Sequence, residues 1–273
     1  MIRLLDAGFT RLKKDKFFWS MCICVVFIVL LVLYNNYSNM KKYDEIIEID
    51  RLFFFFGTFL GIMSSIFTSV FLGTEYSNGT LRNKIIMGHR RFKIYLSNLI
   101  ITSLVNIFFV IIALITVAIV GIPIFEPLSM SISFFILLVF DTFCFSIAYS
   151  SIFTFISMLF SNKTTSAITC IIIAIILLII ATVILNALMA PEMITSVEMV
   201  DGEMIMNEVP NSRYLKGAER VVYERILDII PAGQAFNIMG GETNFFLLPF
   251  YSLGVILIFT IPGLYFFDKK ELN

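Results

Sequence analysis

The sequence predicts an all-α membrane protein. It should have six transmembrane helices, an amphipathic interfacial helix at the N-terminus, a short cytoplasmic helix and outer re-entrant helices before the last span. Three observations lead there. Hydrophobic residues make up 59% of the 273 and charged residues 15%, with a mean hydropathy of +0.92; a soluble domain is about 45–50% apolar and about 25% charged. Six apolar runs are long enough to cross a bilayer, which takes about 20 residues. Lys and Arg gather in alternate connections, as the positive-inside rule expects. This composition excludes a water-soluble enzyme and a disordered chain. A net charge of zero leaves no global basic field for nucleic acid.

The elements follow in order. Residues 1–16 place Ile2, Leu5, Phe9 and Leu12 at helical steps, with Arg3, Asp6, Thr10, Lys13 and Lys14 largely off that stripe. This is a basic amphipathic helix suited to the inner interface, or an ordinary basic anchor that sets topology. The spans are expected over residues 17–34, 52–73, 94–121, 131–160, 166–190 and 245–267. The third and fourth exceed one straight crossing, so they tilt, kink or extend past the bilayer. The first run is read as a retained span rather than a signal peptide, because Tyr34-Asn35-Asn36-Tyr37 follows it and no small-residue cleavage pattern does. With the N-terminus inside, thirteen of the twenty Lys and Arg face the cytoplasm and seven face out. Both termini are then cytoplasmic, and residues 1–273 form a single transmembrane domain. The outer connections are acidic: Asp44, Glu45, Glu48 and Asp50 lie in one, and nine more acidic residues run from Glu192 to Glu242. That is a solvated surface or a weak attractor for cations.

The connection over residues 75–93 is the most informative. Asn78-Gly79 signals a turn, Thr80 is a good N-cap and Gly88 a good helix stop. Between them lies a seven-residue helix over Leu81–Met87, with Leu81 and Ile85 on one face and Ile86 beside them. Such a helix is marginal alone. Ringed by Arg82, Lys84, Arg90 and Arg91, it is either a docking knob for a partner or a loop anchored at the membrane surface. The outer loop, residues 191–243, starts with a Met- and Glu-rich stretch without strong period. A helical repeat over Ala218–Ile230 and the Pro231-Ala232-Gly233-Gln234 break follow. This reads as two short helices dipping into the outer leaflet. Asp141 is the clear acidic residue within a span, near Ser146 and Ser150; it is a functional group or a structural carboxyl between helices. Gly57 and Gly61 form a GxxxG pair that permits close helix packing. Cys22, Cys24, Cys144 and Cys170 all fall in spans and read as packing thiols.

Other chemistry is missing from the sequence. There is no GxxxxGK[ST] phosphate loop, so the chain has no P-loop ATP site of its own. One histidine, His89, cannot build an HExxH site, and no metal site is expected. There is no GxSxG elbow, and no catalytic residues are assigned.

The residues Glu75-Tyr76, Gly79-Thr80-Leu81-Arg82, Lys84, Gly88, Arg91 and Ile94-Tyr95 resemble the loop after the second span of bacterial ABC type-2 permeases, the membrane subunits of small ABC exporters. The six-span layout is similar throughout, and Asp228-Ile229-Ile230-Pro231-Ala232-Gly233-Gln234 resembles the segment before the final span in that family. The resemblance implies that the short helix is a coupling helix entering a groove on a separate ATPase, with Glu75, Tyr76, Gly79, Thr80, Leu81, Arg82, Ile85, Gly88 and Arg91 as the coupling residues. Pro231, Gly233 and Gln234 would belong to an outer re-entrant gate. The working unit would be two permeases, identical or sisters, and two ATPases that carry the ATP and Mg, in a bacterial plasma membrane. Phe-, Met- and Ile-rich spans suit an amphipathic or hydrophobic cargo. A bacteriocin-like or cytolytic peptide is favoured over a lipid or drug. A non-transporting peptide immunity or sensor protein is the competing class.

Overall fold

The computed structural model describes residues 1–44, 46–200, 203–240 and 243–270, with the side chains of 197–200 and 203–206 outside that description. Glu45, Asp201 and Glu242, counted above in the acidic outer set, lie outside it too. Among the described residues, six helices are long and apolar enough to cross a membrane.

α1 (Ile2–Lys14) buries Leu4, Gly8 and Leu12 and lies against α6 (Arg91–Gly121). Of the expected stripe, Leu12 is buried and Leu5 and Phe9 are half-buried against the core, beside the buried Leu4 and Gly8; Ile2 is exposed. Asp15 interrupts the helix in extended geometry. Its carboxylate accepts from the Phe17 amide at 2.9 Å, which caps α2 (Lys16–Tyr43). α2 runs well past the expected end at residue 34. Tyr37 and Met40 still pack on the core, the Asn36 amide bonds back to the Val32 carbonyl at 2.9 Å, and the helix stops where Asp44 turns left-handed at φ 54°. The polar Asn-Asn step marks an exit from hydrocarbon, not the end of the helix.

The second span begins earlier than expected, with α3 (Ile49–Phe54) leading into α4 (Phe56–Ser77). Asp50, buried at its start, accepts from the Ser129 hydroxyl at 2.6 Å and from the Ser129 and Met130 amides. This ties the start of the second span to the loop before α7 (Ile132–Leu159). α4 is the spine of the bundle: it packs on α6, α7 and α8 (Lys163–Leu188). The GxxxG pair makes that possible. A Cβ on Gly61 would stand 2.8 Å from the Tyr149 ring, and one on Gly57 would stand 3.1 Å from the Phe145 ring. α5 (Thr80–Ile86) links α4 to α6. α6 has 31 residues, about 46 Å at 1.5 Å per residue, well beyond a core of about 30 Å.

The outer loop corrects one reading. Its Met- and Glu-rich half is not irregular: β1 (Met193–Val200) and β2 (Glu203–Pro210) pair antiparallel, from Met193 opposite Pro210 to Val200 opposite Glu203. Among the described residues this hairpin, with an isolated bridge between Glu48 and Glu126, departs from the all-α prediction. Next come α9 (Gly217–Ile229) and α10 (Pro231–Ile238), the two short helices expected there. α10 packs against α4, α7, α8 and α9. After a 3-10 turn at Phe245–Leu247, α11 (Leu248–Lys269) lies along α7. The second span is the most enclosed of the six and the last the most open.

Candidate functional site

The first candidate site is built around α5. Gly79 holds φ 66°, a left-handed value that a Cβ disfavours, and so turns the chain from α4 into α5. Gly79, not Thr80, occupies the N-cap position. The Thr80 hydroxyl instead donates back to the Glu75 carbonyl at 3.0 Å. At the other end Gly88 holds φ 83°. Its amide donates to the Ile85 carbonyl at 2.9 Å, and the His89 amide to the Lys84 carbonyl at 3.2 Å. These two bonds form a Schellman stop, so seven residues are closed at both ends.

The expected docking face is corrected. Leu81 is 1% exposed and points into the protein's own core, with Ile85 half-buried beside it. The exposed apolar residues are Ile86 and Met87, at 72% and 69%, and Phe92 farther on. Arg82, Arg90 and Lys93 are exposed around them, while Lys84 is mostly covered. The physical reason is the helical period. Leu81 and Ile85 share the face that seats α5 on the bundle, which leaves the next residues facing out.

Glu75 is why α5 sits as it does. Its carboxylate is 3% exposed and accepts from Lys84 at 2.6 Å and from Arg11 at 2.8 Å, both on Oε1, and from the Asn98 amide at 3.1 Å on Oε2. Arg11 also donates to the Phe71 carbonyl and stacks on the Phe71 ring at 4.0 Å. One buried carboxylate thus joins α1, α4, α5 and α6. A charge so enclosed is stable only with partners, and it has three. The sequence reading identified Glu75 but missed Arg11, Lys84 and Asn98 as its partners.

Tyr76 and Arg91 anchor the chain end instead. The Tyr76 hydroxyl donates to the Met158 carbonyl at 2.8 Å. Lys270 donates to the same carbonyl at 3.0 Å and lies over the Tyr76 ring at 4.3 Å. Arg91 donates to the carbonyls of Phe267, Asp268 and Lys270. Burial lowers the Lys270 ammonium from its ordinary 10.5 to about 8.

The second candidate site joins α9, α10 and α11. Pro231 opens α10, where a missing amide hydrogen costs nothing. A Cβ on Gly233 would stand 2.1 Å from the Leu227 carbonyl oxygen, so only glycine fits the α9–α10 corner. The Gln234 amide donates to the Asp228 carbonyl at 2.7 Å, and its oxygen accepts from Ser252 of α11 at 2.7 Å. Asp228 is buried and accepts from Asn237, Thr243 and Arg225. Asp228, Pro231, Gly233 and Gln234 of the motif thus each have a structural task at this corner, whereas Ile229 is exposed.

Asp141 joins neither site. It is buried, and among the described residues neither carboxylate oxygen has a partner. Ser146 and Ser150 do not serve it; the Ser146 carbonyl and the Ser150 hydroxyl accept from Asn106, at 3.3 and 2.7 Å, as does the Ser64 hydroxyl at 2.6 Å. The four cysteines are free.

A bundle with six helices, among the described residues, long and apolar enough to cross a membrane defines a multi-pass membrane protein. The chain belongs to the ABC-2 type transporter family, whose model matches residues 1–195. It is therefore a permease subunit of an ABC transporter, and the family implies an ABC ATPase partner. The match takes in α1 to α8 with Glu75, α5 and Asp141; α9 to α11 lie beyond it. No curated protein matches the chain.

Proposed function

We propose that this chain is the membrane half of an exporter that carries an amphipathic or hydrophobic cargo out across a bacterial plasma membrane. The favoured cargo is a peptide of bacteriocin or cytolytic type. Two copies of the chain work with two ATPase subunits, which hold the ATP and Mg. α5 is the coupling helix, with both chain termini on its side of the membrane. The observation that carries this reading is the exposed Ile86–Met87 tip within Arg82, Arg90 and Lys93, on a helix otherwise pinned to the bundle. Exposed apolar side chains next to cations fit a partner groove with an apolar floor and an acidic rim.

The Glu75 hub gives the coupling a path. A displacement of α5 pulls on Lys84, hence on Glu75 of α4, hence on Arg11 of α1 and Asn98 of α6. ATP-driven closure of the ATPases would then shift the interfacial helix and two spans together. At the far end, the α9–α10 corner would act as the outer gate, hinged on Gly233 and held by Gln234. The apolar lining of the spans favours an amphipathic cargo over a polysaccharide.

The test uses the chain co-expressed with its ATPase in nanodiscs. Ile86→Glu with Met87→Glu is expected to abolish retention of the ATPase subunit and cargo-stimulated ATP hydrolysis, with the melting temperature unchanged. Leu81→Asp is expected to lower the melting temperature, because it buries a charge in the bundle. Wild-type retention and coupling in the double variant would refute the docking face. For the cargo, a labelled amphipathic peptide should accumulate in inside-out vesicles with ATP. Transport of a fluorescent lipid but not the peptide would overturn the peptide reading.

A further inference from the structure

Asp141 of α7 is a buried acid that neither site uses, and its surroundings set it apart. Glu75, Asp50 and Asp228 are similarly buried, and each is met by several donors. Asp141 is 1% exposed, and among the described residues neither of its oxygens has a hydrogen-bond or ion-pair partner. The rest of the chain supplies no counter-charge either. All twenty Lys and Arg and the single His lie within the described residues, and those outside are acidic, apolar, Gly or Asn. An isolated carboxylate so enclosed is far more costly than the neutral acid. The carboxyl therefore holds a proton.

The helical period indicates from which end that proton comes. Asp141, Phe145, Tyr149 and Phe153 recur every four residues and share one face of α7. The three rings are buried. Tyr149 stacks on Phe153 at 5.9 Å and meets Phe145 edge-on at 6.3 Å, and it fills the notch at Gly61. Toward α5, then, this face is closed by packed rings. The other end is nearer: Asp141 lies about 14 Å from the start of α7 at Ile132 and about 27 Å from its end at Leu159. α10 packs on α7 there. A Cβ on Gly57, at the start of α4, would meet Phe145 at 3.1 Å and Ala235 of α10 at 3.4 Å, one turn from Asp141. We propose that Asp141 is a proton-binding site reached from the end opposite α5, with α10 as its cover. α10, the 3-10 turn and residues 96–121 of α6 carry no titratable side chain. At that end of the elements around α7 the titratable and charged groups are Cys144 on its own helix, Tyr251 of α11, and Asp50 with Arg51 of α3; none bonds to Asp141. When α10 lifts, a hydronium ion gives its proton to a carboxylate oxygen and leaves as water, and closure traps the acid. That the corner opens during transport rests on the gate proposed above; the proton site does not.

Infrared spectroscopy of the chain in nanodiscs tests both the proton and its cover. At neutral pH the wild type is expected to show the carbonyl band of a protonated carboxyl, shifted by isotope-labelled aspartate and missing from Asp141→Asn. Asp141→Glu gives a second assignment should the Asn variant fail to fold: its acid band should no longer respond to the aspartate label. In heavy water the band moves as the acid proton exchanges. Gln234→Ala frees the corner from the Asp228 carbonyl and the Ser252 hydroxyl, and losing those bonds should speed the exchange about tenfold. Lys84→Met, at the α5 end, should leave the rate unchanged. Absence of an Asp141 acid band, exchange indifferent to Gln234→Ala, or exchange quickened by Lys84→Met would each overturn the proposal. If the variants behave as stated but ATP and the ATPase subunits leave the wild-type exchange unchanged, the site stands and the gate reading fails. No outcome bears on the docking test at Ile86 and Met87.

Discussion

Glu75 shows how much one residue can organise. Removing a partner from a buried ion pair costs about 3–5 kcal/mol; Arg11 and Lys84 are 28% and 14% exposed and can turn toward water, so the lower figure applies. Glu75→Ala should lower the unfolding free energy by about 3 kcal/mol, seen as an earlier melt. Lys84→Met should cost less, because Arg11 and Asn98 still serve the carboxylate. A variant that melts like wild type would remove the hub from the account. Lys270 adds a pH dependence. Its folded value is about 8 against an ordinary 10.5, so between those values the unfolded chain holds more protons than the folded one. Stability therefore rises with pH across that window. The melting temperature of the wild type relative to Lys270→Met should climb from pH 8 to pH 10. Parallel curves for the two proteins would show that burial does not perturb this amine.

At the scale of elements, short helices are decided by their ends. α5 has seven residues and would not persist alone, yet Gly79, the Schellman stop at Gly88 and the Glu75–Lys84 pair close it. α9 and α10 meet at a corner where Gly233 touches the Leu227 carbonyl. Gly233→Ala must push the two helices apart and should cost about 3 kcal/mol, the upper end for overpacking. Gly79→Ala should cost about 1–2 kcal/mol for its left-handed backbone alone, since nothing stands within 4 Å of its Cβ position. Melting of the two variants side by side checks the order; an equal or reversed order would mean that the corner yields.

For the whole molecule, the decisive quantity is which way the bundle lies. Single cysteines at Lys42 and at Asn78, in a chain whose four native cysteines are replaced, should react differently with an impermeant maleimide on intact cells. Lys42→Cys should label and Asn78→Cys should label only after the membrane is opened. The reverse pattern would turn the whole assignment over, putting α5 outside and away from any ATPase.

The sequence alone settled the number of spans, the amphipathic start, the helix pair before the last span and the family, because each depends on hydrophobic runs, local period or short motifs that a chain carries wherever it folds. It also held a signal left unread: Asp201-Gly202 between two eight-residue segments is a hairpin turn pattern, and Met193–Val200 pairs with Glu203–Pro210. Span ends were less legible, as with α2 past Asn35, because a helix stays hydrogen-bonded after its side chains turn polar. The side of α5 that faces a partner was decided only by tertiary structure. Leu81, Ile85 and Ile86 are alike as residues, and what separates them is which one α4 and α6 cover. The same holds for Glu75. Its value as a hub depends on Arg11 and Asn98, 64 and 23 residues away in the chain, and such pairing is a property of packed helices that no local pattern records.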